Sequence, residues 1–128
     1  QFWLGLSLSA DAKTLYVAVA AKANGWISVG LGSMKMNGSY MVIGYEQGGK
    51  QTISEEIGKG HGHSASGVKK TTAAAVKYAN GVATIEYAIP ADEWIKTGKL
   101  QLILGAGKAF DLTSWHPLSY NLEVAVKK

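Results

Sequence analysis

Gly25-Trp26-Ile27-Ser28-Val29-Gly30-Leu31-Gly32, running on through Ser33-Met34-Lys35-Met36-Asn37-Gly38-Ser39 into Tyr40-Met41-Val42-Ile43-Gly44-Tyr45, decides the fold. Ile27, Val29 and Leu31 recur with the period of two that lines one face of a β-strand. Tyr40 to Tyr45 is a second apolar β segment, and the stretch joining the two holds two thioether sulfurs where a turn is ordinarily polar. A sulfur placed there has a use beyond packing.

The same period recurs on both sides of this pair. Leu15, Val17 and Val19 alternate in the segment from Thr14, and further strands read at Gln51 to Glu55, Thr71 to Tyr78, Val82 to Ile89, Leu100 to Leu104 and Tyr120 to Val126. Asn80-Gly81 between two of them predicts a type I′ hairpin turn, because both central positions need positive φ. Helical periodicity is confined to Pro90-Ala91-Asp92-Glu93-Trp94-Ile95, where Pro at the first position and acids in the first turn fit one short helical turn. Short strands separated by turn signals predict an all-β chain, a two-sheet antiparallel immunoglobulin-like β-sandwich.

A chain of 128 residues is one domain, 1–128, able to bury a core without covalent staples. Hydrophobic residues make up 47% and charged residues 17%, a globular profile. The net charge is +4, yet the lysines are scattered, so no basic stripe for nucleic acid is present. The absence of Cys removes disulfides, zinc-thiolate sites and covalent haem attachment together. No transmembrane or signal-type stretch occurs, and a start at Gln1 reads as a mature or excised domain without direct membrane insertion.

Met34 and Met36 lie two apart and project to one side of an extended stretch, either as gap-filling core residues or as ligands. His116, between Trp115 and Pro117, is the histidine outside the Gly-rich run Lys59 to Gly67. A Met and a His drawn together from distant positions are an axial pair for haem iron, one that raises the reduction potential. His61 and His63 sit in the Gly-rich run, which reads as a solvated loop or as a weak copper, nickel or zinc chelate. No Gly-x-Ser-x-Gly elbow or Ser-His-Asp pairing supports hydrolysis, and no catalytic residue is assigned.

The Gly25 to Gly32 strand leading into Met36-Asn37-Gly38-Ser39 and its apolar run resembles the hallmark of DOMON domains, and a Gly turn at Gln47 to Lys50 and a Gly/His loop follow in that family's order. The haem-bearing branch is similar to the cytochrome domain of cellobiose dehydrogenase, where a Met after the Gly-Trp strand and a carboxyl-terminal His bind haem b. By motif the resemblance puts the iron ligands at Met36 and His116, with Lys108 as an alternative to the histidine because some relatives use Lys. It implies a noncovalent haem b (iron) and single-electron transfer without substrate turnover. It further implies a redox partner protein or fused redox domain, an extracytoplasmic location and a monomeric domain. Trp26, Tyr40, Met41, Trp115 and Leu118 are the expected pocket walls. The rival expectation is a haem-free module that binds a carbohydrate or other small ligand, with Trp3, Trp26 and Trp94 as stacking platforms.

Overall fold

The computed structural model describes residues 2–35, 37–59, 62–107, 109–110 and 118–126, without the side chains of 118 and 119. The strands are β1 (Phe2–Leu8), β2 (Thr14–Lys22), β3 (Ile27–Leu31), β4 (Tyr40–Gln47), β5 (Lys50–Lys59), β6 (Gly62–Ala65), β7 (Ala73–Ala79), β8 (Val82–Pro90), β9 (Ile95–Lys96), β10 (Lys99–Ala106) and β11 (Leu118–Ala125). Among the described residues they form two antiparallel sheets, a four-stranded one in the order β1-β2-β8-β7 and a seven-stranded one in the order β11-β10-β3-β4-β5-β6, with β9 paired to β10. The expected all-β sandwich is therefore the observed fold. No described helix is long and apolar enough to cross a membrane.

Period-two patterning decides what lies between the sheets. Leu15, Val17 and Val19 of β2 and Ile85, Tyr87 and Ile89 of β8 face Ile27, Val29 and Leu31 of β3, Tyr40 and Val42 of β4 and Leu100, Leu102 and Leu104 of β10, all buried in one core. Each fully buried aliphatic side chain contributes roughly 1.5–3 kcal/mol, so this interface holds the sandwich together.

Two-residue turns set the register of the hairpins. Asn80 (φ 53°) and Gly81 (φ 77°) join β7 to β8 as predicted, and Gly48-Gly49 joins β4 to β5 in the same way. The β9–β10 turn, between the paired Lys96 and Lys99, uses Thr97 at φ 51°, where a β-branched side chain is strained. Thr97→Asn, which tolerates that region, is expected to add about 1 kcal/mol of stability, read as a rise of roughly 4 °C in the thermal midpoint.

Three departures from the sequence reading have local causes. The expected helical turn is a hydrogen-bonded turn and not a helix: Trp94 N–H at 3.1 Å and Ile95 N–H at 3.3 Å both donate to Ala91 O, and Ile95 then pairs with Leu100. The strand β1 was not expected: FWLGLSL carries its apolar alternation between glycine and serine rather than charged residues. The Gly-rich run was expected to be a solvated loop, yet residues 62–65 form β6, paired with β5 from Glu56↔Ala65 to Lys59↔Gly62.

Candidate functional site

The outer face of the seven-stranded sheet, turned away from the core, is apolar and buried as well. Along β3 and β4 every residue from Ile27 to Leu31 and from Tyr40 to Gly44 is buried, so alternation brings no solvent-facing row. The outward positions are Ser28 and Gly30 of β3, Met41 and Ile43 of β4, and Ile103 and Gly105 of β10, matched by the pairs Gly30↔Met41, Ser28↔Ile43, Gly30↔Ile103 and Ser28↔Gly105. Met41 is 4% exposed and Ile43 1%, although neither belongs to the core between the sheets.

Glycine lets neighbouring side chains close over the backbone of this face. A Cβ on Gly30 would stand 2.7 Å from Ile103 Cγ2 and 3.0 Å from the Ser39 side chain; one on Gly105 would meet Ser28 Oγ at 3.0 Å and the Trp26 ring at 3.2 Å. A Cβ on Gly107 would overlap the Trp26 indole, so that ring lies across the end of β10. The β5–β6 side of the floor is polar. Met41 pairs with Glu56, a buried carboxylate whose oxygens accept from Ser54 Oγ at 2.8 Å and contact Nδ1 of His63.

The connections carrying the sequence-predicted ligands leave this sheet at opposite ends. β3 and β4 meet at Leu31↔Tyr40, from which the 32–39 connection departs; β10 and β11 meet at Ala106↔Leu118, beside Ile27 at the other end of β3. Four residues of strand, roughly 13 Å, separate the two exits. The first connection is tethered on either side of position 36. Ser33 Oγ accepts from Lys35 N–H at 3.0 Å and donates to Asn37 O at 3.2 Å, and Gly38 N–H donates to Gly58 O at 3.0 Å. The second begins by crossing the start of β3, with Gly107 N–H donating to Trp26 O at 2.9 Å and Trp26 N–H to Ala109 O at 3.2 Å. Phe110 then packs edge-on against Tyr78, with ring centroids 5.2 Å apart.

Of the expected pocket walls, Trp26 and Met41 do share the outer face. Tyr40 does not: adjacent residues of a strand point to opposite faces, and its ring enters the core, 5.4 Å from the Trp94 ring. Its hydroxyl donates to Glu55, whose carboxylate also accepts from Thr71 Oγ1 at 2.6 Å and from Lys70 N–H at 2.6 Å. Lys70 Nζ covers both rings at 4.9 and 5.0 Å. Burial alone would raise the pKa of Glu55, but the hydrogen bonds from Thr71, Tyr40 and the Lys70 and Thr71 amides outweigh it and hold the carboxyl below its usual range. A carboxyl depressed in the folded state contributes stability that is present above its unfolded pKa and lost as the pH falls through the folded one. Urea unfolding at pH 7, 5 and 3 is therefore expected to show an acid-side loss in the parent that is smaller in Glu55→Gln, which starts lower at pH 7.

Met36, His61, Lys108, Trp115, His116 and the side chain of Leu118 lie outside the described residues. Among the described residues no three His, Asp or Glu side chains gather to hold a bare metal ion. Of the three tryptophans expected as stacking platforms, Trp26 and Trp94 are buried by packing, and Trp3 at 46% exposed is the one left at the surface. Sequence reasoning passed over Glu56 and His63 as partners. The contact comes from the hairpin between them, which turns a separation of seven residues into a diagonal cross-strand contact.

No family model matches the chain, and no curated protein matches it. Solved structures do. The cytochrome domain of Myriococcum thermophilum cellobiose dehydrogenase superposes with a TM-score of 0.70 at 11% identity, over 98% of this chain and 75% of that one. The cytochrome b domain of pyranose dehydrogenase from Coprinopsis cinerea gives a TM-score of 0.69 at 16% identity, over 97% and 75%. The chain thus has the β-sandwich fold of these cytochrome domains, consistent with the DOMON cytochrome-type resemblance of the Gly25 to Tyr45 region.

Proposed function

We propose that residues 1–128 are one b-type cytochrome domain, which binds haem noncovalently over the outer face of the seven-stranded sheet and passes single electrons to and from a redox partner protein or a fused redox domain. The observation that carries this reading is the buried, largely apolar outer face flanked at both ends by the connections that hold Met36 and His116. An apolar macrocycle needs such a water-excluding wall, and the connections that carry Met36 and His116 leave it at opposite ends, so that each residue would reach the iron from its own end. The likeness to two cytochrome domains adds support at the level of fold.

Haem held there supplies a one-electron ferric–ferrous couple. Met36 and His116 are the residues proposed to hold the iron, and with both bound the metal would have no position open to oxygen or substrate. Trp26, Met41 and Ile43 exclude water from the sheet side. The domain turns over no substrate of its own, and its place is extracytoplasmic, as a monomer. The test is a reduced-minus-oxidised visible spectrum after reconstitution with excess haem. A low-spin b-type spectrum, with haem released intact by acid-acetone because the chain has no Cys, is the expected result. Protein that stays colourless overturns the reading.

One observation favours the rival. Trp3 and Tyr16 stand exposed on the outer face of the four-stranded sheet, and Tyr16 borders an open groove of about 610 Å³ lined by Gly5, Ala18 and Ala75. A haem-free module for a neutral sugar would use that face, and colourless protein retarded in a gel containing soluble glucan would establish it.

A further inference from the structure

We infer that His63, steadied by Glu56, is the positioning residue that receives a propionate of the bound haem and so fixes which edge of the macrocycle lies against the β5–β6 side of the sheet. The inference rests on the haem reading above and names a residue outside the ligand pair.

Haem has an apolar macrocycle and two carboxylates on one edge, so any groove that takes it needs a polar side. The floor formed by Ser28, Gly30, Met41, Ile43 and Gly105 offers none in its middle. On the β10–β11 side the charged groups are already committed. Glu123 accepts from Gln101 Nε2 at 3.0 Å and lies 3.9 Å from Lys99 Nζ.

The β5–β6 side is built differently. His63 stands opposite Gly58, on the same face as Met41 and Glu56, and its side chain is 17% exposed. Glu56 takes Nδ1 and is itself fixed by Ser54 at 2.8 Å, so the ring has one orientation and the other nitrogen, Nε2, has no hydrogen-bond partner among the described residues. A carboxylate behind an imidazole strengthens the ring as a donor at its far nitrogen.

Haem and haem dimethyl ester separate this role from packing, because the ester keeps the macrocycle and loses the carboxylate charges. Affinities of parent, His63→Ala and His63→Gln protein are measured for both by fluorescence quenching, with the visible spectrum recorded alongside. His63→Ala is expected to weaken haem binding by roughly 10- to 100-fold, the worth of a charge-assisted hydrogen bond, and to leave ester binding within about twofold of the parent. His63→Gln, which keeps a donor, is expected to regain part of the loss, and every variant is expected to stay low-spin. Equal losses for haem and ester, or no loss for either, overturn the inference, as does loss of the low-spin spectrum in His63→Ala, which would make His63 an iron ligand. Parent protein that binds neither compound removes the cytochrome reading itself.

Discussion

His116→Ala protein reconstituted with haem is expected to lose its low-spin spectrum and at least on the order of a hundredfold in haem affinity, since even the loss of a residue that merely orients a metal ligand costs 10- to 100-fold. A neutral thioether left as sole protein ligand is too weak a donor to hold the iron. Met36→His is the complementary substitution. It is expected to stay low-spin while its reduction potential falls, because a second imidazole replaces the thioether that favours ferrous iron. Met34→Ala, His61→Ala and His63→Ala are expected to keep the parent's spectrum. A low-spin haem that survives in His116→Ala and disappears when Lys108 is replaced would move the ligand to the lysine.

Gly25→Ala is expected to cost roughly 2–4 kcal/mol, at the upper end of overpacking substitutions because the obstruction is backbone and cannot swing aside. The new Cβ would lie 2.6 Å from both N and O of Ala109 and 2.8 Å from Gly107 O. Relief requires the crossing held by Trp26 N–H to Ala109 O and Gly107 N–H to Trp26 O to open. That crossing launches the connection on which His116 lies, so the substitution is expected to weaken haem binding along with stability. Urea unfolding of apoprotein and haem titration of the folded fraction measure the two effects separately. Haem affinity unchanged in a destabilised Gly25→Ala would show that the crossing does not position the ligand connection.

The sandwich was legible wherever one face of a strand is apolar and the turn between strands has a chemical signature. Ile27, Val29 and Leu31 and the Asn80-Gly81 turn are instances, because side-chain period and φ preference are properties of the residues themselves. β1 escaped notice since Gly5 and Ser7 stand where a charged outward row would mark a strand, and β9 is too short to show any period. The candidate ligands Met36 and His116 were legible as residue types at motif positions, whereas the floor was not. Burial of Met41 and Ile43 depends on which strands neighbour β4 and on what lies over them, and a single strand's sequence carries neither. Tyr40, expected as a pocket wall together with Met41, turns into the core instead of sharing its face, because one residue is the difference between the two faces of a sheet. The Glu56–His63 contact was out of reach for a related reason: it follows from a hairpin register that the Gly-rich sequence between them does not specify.

The main core and the candidate haem face lie on opposite sides of one sheet, and this separates assembly from loading. Every side chain that cements the two layers comes from the chain itself, so the scaffold can be complete before any cofactor arrives. Haem would then add stability only by mass action, as the logarithm of its free concentration over its dissociation constant, about 2.7 kcal/mol at a hundredfold excess over that constant. On the proposed haem reading, protein made without haem is expected to be a folded apoprotein and not a denatured chain.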